Sequence, residues 1–443
     1  MDASPTAKKV QAITVVSVVV ANMVGTGVFT SLGFQVVDLQ SGFVLMVLWL
    51  VGGLLALCGA LGYGMLATAM PRSGGEYHFL SRIYSPAVGF VAGVVSMTVG
   101  FAAPLALAAM AFGKYFETLW PGVNGSLLAS LLTIGVALVH LHSVKAGGRF
   151  QTAATLLKLG LIVGLVVVGG VVSSHGSVSF QPKAHDFSQM GGAPFAISLI
   201  YVMYAYSGWN AATYIMNEIH APKRTVPMAL VVGTLIVTVL YLALNGIFLK
   251  TTPIDAMKGK LEVGSIVATH IFGAEGGKVF SGLICLALIS SISAMTWAGP
   301  RVAQVMGEDY RALHWLSYTN ARGVPRVASL LQLALVNGLI WWGTFQNVLV
   351  YTQFTLNLCT LMAIGGVFVL HWRGVVVKGS WGYPVAPAIF VGITLATMGY
   401  LLKIQWRESL AGLVTMLVAL IFYWLMPRSA QSSSEKPKEV EVI

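Results

Sequence analysis

Residues 20–30 read VANMVGTGVFT and residues 204–214 read YAYSGWNAATY, and each stretch interrupts a long apolar run. Glycine costs about 1 kcal/mol relative to alanine inside a helix, so Gly25, Thr26 and Gly27 form a weak link between two apolar halves. One such motif also reads as close helix packing, because glycine is common in membrane helices. The polar break at Ser207, Gly208, Trp209 and Asn210 shifts the balance toward a site.

Around these breaks the chain is built for lipid. It is 56% hydrophobic and 9% charged, against about 25% charged in soluble domains. Twelve apolar runs are expected to be spans: 12–37, 42–69, 87–119, 125–141, 150–172, 194–217, 228–250, 278–308, 326–344, 348–371, 385–402 and 407–426. Their lengths suit a hydrocarbon core about 30 Å thick. Helices satisfy their own backbone hydrogen bonds in lipid, and the runs lack the period-two alternation of a membrane barrel. The expected class is an all-α polytopic membrane protein with 12 transmembrane helices.

The net charge of +11 does not point to nucleic acid. With the N-terminus in the cytoplasm, 17 Lys and Arg fall on the cytoplasmic side, 8 on the outer side and Lys158 within the membrane. This is the positive-inside pattern, and it predicts both termini in the cytoplasm of a multi-pass protein of the cell (inner) membrane. MDASPTAKKV shows no cleavable leader pattern, and RSAQSSSEKPKEVEVI reads as a disordered tail. The segments between spans are short, leaving no room for a soluble catalytic domain. Cys58, Cys285 and Cys359 all lie in spans, without disulfide or metal-ligand spacing.

The two breaks stand five spans apart. Transporters made of two inverted repeats place broken helices at corresponding positions, with the substrate between them at the midplane. Unwound backbone offers N–H groups to a carboxylate at one half-helix end and carbonyl groups to an ammonium at the other. A zwitterionic amino acid carries both. The expected organisation is a cytoplasmic segment 1–11, a first five-helix repeat 12–172, a second inverted repeat 194–371, peripheral helices in 385–426 and a tail 427–443.

These stretches resemble a known family. VVANMVGTGVF (19–29) resembles the first-helix signature of the amino acid/polyamine/organocation (APC) superfamily, usually Gly-Ser-Gly, an apolar residue and Phe. MPRSGGEYHFLSRIYSPAVGFVAG (70–93) is similar to its first cytoplasmic loop, and YAYSGWNAATYIMNEIHAPKRTVPMAL (204–230) to its sixth helix and following loop. The aromatic-Ala-Tyr-x-Gly-Trp-Asn core resembles the L-type amino acid transporter branch. GPRVAQVMGEDYRAL (299–313), GVPRVASLLQ (323–332) and GYPVAPAIF (382–390) extend the resemblance over essentially the whole chain.

The resemblance implies a LeuT-type 5+5 inverted repeat with helices 1 and 6 broken. PGVNGS (121–126) lacks the cysteine that bonds eukaryotic L-type members to a heavy chain, so no disulfide-linked heavy chain is expected. Position 22 is often Thr in that branch; Asn22 is similar instead to bacterial arginine/agmatine exchangers.

Lys158 interrupts the fifth span, and a buried cation usually faces a partner or a polar cavity. It lies eight residues past Phe150, about 12 Å along a helix, too deep to snorkel easily. No Asp or Glu lies mid-span. The remaining acceptors are carbonyls near Gly25 to Gly27 and the hydroxyls of Ser290, Ser291 or Ser293. In several sodium-independent members of this fold a fifth-helix lysine stands where relatives bind sodium between helices 1 and 8, and Lys158 matches that place. Because burial works against a charged amine, it could carry a coupling proton or act as a fixed strut.

The expected substrate-binding residues are Asn22, Gly25, Thr26, Gly27, Tyr204, Tyr206, Ser207, Gly208 and Trp209, with Tyr204 as aromatic gate by resemblance. Tyr206 reads equally as packing. His140 and His142, near Lys145 and Arg149, have no carboxylate or cysteine beside them to complete a metal site. Arg72, Glu76, Lys223, Arg224 and Glu308 read as cytoplasmic gate contacts or as solvated loop charges. The function expected is a sodium-independent secondary transporter of neutral L-amino acids, exchanger or proton symporter, with no cofactor. The alternatives are a non-transporting amino acid sensor and a cationic amino acid or polyamine exchanger. A membrane-embedded enzyme lacks any nucleophile, metal cluster or acid–base pair at membrane depth.

Overall fold

The run from Ala12 to Gln35 could form a single helix, but it splits in two: α1 is Ala12–Met23 and α2 is Gly27–Gln35. At Val24 ψ swings to 86°, and the Gly25 N–H folds back to the Met23 carbonyl at 2.9 Å. The rest of the computed structural model, which describes residues 10–142, 148–172, 178–320, 323–375 and 381–426, is also helical. The expected N-terminal segment before residue 10, the tail from residue 427 and the side chains of His142, Lys145 and Arg149 lie outside the described residues.

In chain order the helices continue as α3 (Gly42–Ala69), α4 (Gly75–Ile83), α5 (Pro86–Val95), α6 (Ala102–Leu119), α7 (Gly125–His142) and α8 (Gly148–Val171). There follow α9 (Ala184–Met190), α10 (Ala193–Tyr206), α11 (Pro222–Thr251), α12 (Ile254–Met257) and α13 (Val263–Asp309). The chain ends with α14 (Arg326–Trp342), α15 (Phe345–Trp372), α16 (Val385–Ile404) and α17 (Trp406–Leu425). A π-helical turn, Ser96–Phe101, joins α5 to α6 within the third span.

Among the described residues, eight helical stretches are long and apolar enough to cross a membrane, and four shorter apolar helices stand at the expected fourth, fifth, sixth and ninth spans. Exposed Leu156, Val167 and Val171 on α8, and exposed Trp424 and Leu425 on α17, suit lipid rather than water. The chain is therefore an all-α, multi-pass integral membrane protein, with helix packing consistent with an inverted-repeat transporter.

Three features differ from the sequence expectation. The sixth span does not resume as an α-helix after its break: two short 3-10 turns, Ala211–Tyr214 and Met216–Glu218, follow instead. The eighth helix begins early, because 263–272, expected as outer loop, is helical and joins the span through a kink at Gly273 (φ 78°). The loop sequence 70–85 contains α4, whose inner face buries Glu76, Phe79, Leu80 and Ile83.

Close packing sets the positions of the two broken elements. α10 lies against α2 and α3, and α11 against α1 and α3. Gly52 and Gly53 on α3 make this approach: a Cβ at Gly52 would meet Val202 at 2.2 Å, and one at Gly53 would meet Thr238 at 2.5 Å. On the expected cytoplasmic side, Val10 pairs with the strand-like backbone at Ile219, donating to Glu218 O at 2.8 Å and accepting from His220 N at 3.1 Å. Ser73 and Asn217 tie the neighbouring loops, with Asn217 N donating to Ser73 Oγ at 2.9 Å.

Candidate functional site

The two breaks meet. The hydroxyls of Thr26 and Tyr204 are hydrogen-bonded at 2.8 Å. A Cβ on Gly27 would lie 2.5 Å from Ala205 Cα, so α2 and α10 touch backbone to backbone. Gly208, at φ 94°, sits against the Asn22 carbonyl, where a Cβ would approach to 2.7 Å. Only glycine combines that left-handed φ with so close a contact.

The meeting point presents unpaired backbone of both signs. No side chain caps α2, and the N–H groups of Thr26, Gly27 and Val28 find no acceptor among the described residues. At the end of α10 the carbonyls of Ala205 and Tyr206 receive no backbone N–H among the described residues. Helix ends of this kind attract an anion at the N-terminus and a cation at the C-terminus. Asn22 is exposed, its amide donating to Val18 O at 2.9 Å, and Gly25 is half-buried, so the break opens on this side.

The aromatic residues divide. Tyr204 faces the break through Thr26. Tyr206 points away, its hydroxyl donating to Trp49 O at 3.2 Å and its ring packed among Trp49 and Tyr241. Ser207 closes α10, its N–H bonded to Tyr204 O at 3.0 Å. Trp209 is buried edge-on against Tyr63, ring centres 4.8 Å apart. Tyr241 of α11 braces the first break by donating to Met23 O at 2.8 Å, a contact that nothing in the local sequence announces.

Lys158 is buried, 4% exposed, and its ammonium donates to Ser291 Oγ of α13 at 2.5 Å. Ser290 beside it is buried too. No bond from Lys158 to the carbonyls of 23–27 is present among the described residues, so its visible tie is to the eighth span alone. Ser293 is not its partner: His140 Nε2 and Ser293 Oγ are 2.8 Å apart, joining α7 to α13.

Of the residues read as cytoplasmic gate contacts, Arg72, Lys223, Arg224 and Glu308 are exposed, whereas Glu76 is buried at 3% exposure. Its Oε1 accepts from the Tyr63 hydroxyl at 2.5 Å and the Thr360 hydroxyl at 2.9 Å. Reading Glu76 as a solvated loop charge is therefore wrong, because α4 packs against α15 and the Tyr63 hydroxyl of α3 reaches its carboxylate. The three cysteines are free thiols, with Cys285 and Cys359 buried.

With this geometry in hand, residues 11–423 match the family model described as amino acid permease. The chain belongs to the amino acid permease family. It is similar to the b(0,+)-type amino acid transporter 1 of Mus musculus, 24% identical with 94% of this chain and 88% of that one covered. It is also similar to the serine/threonine exchanger SteT of Bacillus subtilis (strain 168), 24% identical with 86% and 87% covered. The cystine/glutamate transporter of Homo sapiens is 24% identical over 83% of this permease and 74% of its own length. These relatives span several branches of the APC superfamily. This permease is a secondary active amino acid transporter, not an enzyme.

Proposed function

We propose that this permease moves neutral L-amino acids across the cell membrane by alternating access, independently of sodium, as an exchanger or proton symporter. The observation that carries this reading is the contact between the two helix breaks through the bonded pair Thr26 and Tyr204, at a helix start where the N–H groups of Thr26 to Val28 have no acceptor among the described residues. The substrate carboxylate takes the α2 N–H groups, the ammonium takes carbonyls near the end of α10, and Tyr204 closes over it. In this reading the fold is a twelve-span LeuT-type 5+5 repeat with helices 1 and 6 broken, spans eleven and twelve are peripheral, and both termini are cytoplasmic. Among the L-type and related branches, a small or medium neutral substrate suits Ser207 and the absence of a carboxylate among the residues at the breaks.

Lys158 is the built-in cation of this mechanism. A buried ammonium fixed on Ser291 supplies the charge that a bound sodium ion supplies elsewhere, so the site needs none. No disulfide-linked heavy chain enters the reading.

The test is radiolabelled uptake of an amino acid panel into proteoliposomes, wild type against Lys158→Ala, across imposed sodium and proton gradients and with or without internal amino acid. Sodium-indifferent uptake of alanine or leucine that collapses in the variant is expected. Sodium-driven uptake, or lysine and putrescine uptake matching that of alanine, overturns the reading.

A further inference from the structure

Glu76 is a carboxyl group held in the interior, and it has no countercharge among the described residues. Ion pairs among the described residues join Lys114 to Glu117 and Lys278 to Glu275, and none reaches Glu76. An isolated buried carboxylate is costly, and such a group lowers the cost by taking a proton. The arrangement of its neighbours suits that state. Both hydroxyl donors, from Tyr63 and Thr360, converge on Oε1, while Oε2 accepts from no group among the described residues. A carboxylic acid with its proton on Oε2 keeps both hydrogen bonds at the carbonyl-like oxygen.

The groups around it are the following. Tyr63 faces it from α3, Thr360 and Cys359 from α15, and Tyr214 from the turn after the second break. On its own helix Tyr77 turns away to Asp309 Oδ2 at 2.6 Å, and His78 feels Arg72 and Arg82. α5, packed on α4, presents no titratable side chain. The phenols and the thiol are neutral near pH 7 by their ordinary titration ranges. Burial pushes the Glu76 carboxyl up from its usual range, and the two hydroxyl hydrogen bonds oppose this without cancelling it.

The contact also reaches the substrate region. Tyr63, which donates to Glu76, presents its ring to the edge of Trp209, and Trp209 adjoins Gly208 at the Asn22 carbonyl. Moving α4 away from Tyr63 and Thr360 would wet the carboxyl and release the hydroxyl of Tyr63, the residue whose ring packs against Trp209.

We propose that Glu76 is a proton-linked latch on the cytoplasmic side: the bundle packs closed around the neutral carboxyl and opens as that carboxyl ionises. The closed conformation holds the extra proton, so a fall in internal pH favours closure and a rise favours opening. The latch rests on the reading of this chain as a transporter with 70–85 facing the cytoplasm.

The experiment is exchange in proteoliposomes with external pH fixed and internal pH varied from about 5 to 9, alongside infrared spectra of the purified protein. Wild-type exchange is expected to fall by up to about tenfold per pH unit once internal pH drops below the latch midpoint. Glu76→Gln flattens the profile at the low-pH rate. Tyr63→Phe and Thr360→Val each remove a donor to the carboxylate and move the midpoint to higher pH. A Glu76→Gln profile that follows wild type overturns the latch. The infrared test stands whether or not the variants transport: a carboxylic acid C=O band that grows as pH is lowered across the same range and is missing from Glu76→Gln supports the latch, and its absence from wild type over that whole range overturns it. Wild type that moves no amino acid under any condition refutes the transport reading instead, and the band still decides the state of Glu76.

Discussion

Gly27→Ala tests how tightly the two breaks are joined. The added Cβ would sit 2.5 Å from Ala205 Cα and 2.8 Å from Ala205 Cβ, whereas carbon atoms pack at about 3.5–4.0 Å. Both neighbours belong to helix backbone or its first side-chain atom, so no rotamer relieves the clash. α2 and α10 must part by roughly 1 Å. That movement stretches the Thr26 to Tyr204 bond from 2.8 Å to about 3.8 Å, beyond hydrogen-bonding range. Overpacking costs about 1–3 kcal/mol and the lost hydrogen bond about 0.5–1.5 kcal/mol. The assay is thermal unfolding in detergent together with substrate competition for a radiolabelled amino acid, with Gly135→Ala as the comparison. Gly135, on α7, has nothing within 4 Å of the same added atom. Gly27→Ala is expected to lower the unfolding midpoint and weaken apparent affinity by about tenfold or more, while Gly135→Ala does neither. Equal behaviour of the two variants would refute the backbone contact as the joint between the breaks.

Three further outcomes are expected. Tyr204→Phe removes one hydroxyl of the pair at the break, and apparent substrate affinity should drop about twofold to tenfold in competition assays, from about 0.5–1.5 kcal/mol. Ser291→Ala leaves the buried Lys158 ammonium without its hydroxyl acceptor, and uptake in sodium-free buffer should fall while Ser291→Thr retains most of it. His78 is pushed down to about 4, first by burial and then by Arg72 and Arg82. Its folded value lies below the unfolded one of about 6.5, so its contribution to stability is complete above pH ~6.5 and is lost as pH falls toward ~4. Unfolding midpoints should therefore decline over that window in wild type and decline less in His78→Gln.

The parts of the fold that depend on local sequence were legible. Gly25 to Gly27 and Ser207 to Asn210 announce their breaks because helix propensity is a property of a few neighbouring residues. Lys158 stands out because a charge in an apolar run has no local excuse, although its partner could be narrowed only to a few hydroxyls and carbonyls. Ser291 proved to be that partner, and Ser293 went to His140 instead. Glu76 reads as a gate contact or a loop charge, and its burial is illegible for the opposite reason. Within PRSGGEYHF it looks like any loop acid, and its burial is decided by Thr360, 284 positions further along the chain. The helix at 263–272 is not legible locally, because its polar and glycine-rich flank reads as loop until it packs. The brace from Tyr241 to Met23 O likewise spans 218 positions.

The pairing of Val10 with Ile219 has a mechanical meaning. It splices the start of the first broken element to the backbone just beyond the second, by two hydrogen bonds that need no particular side chain. The approach to α1 and the turns after α10 then form one lever rather than two. Any rocking that opens this face must swing both together, and spin labels placed on Gln11 and Asn217 should keep a constant separation while each moves relative to α15.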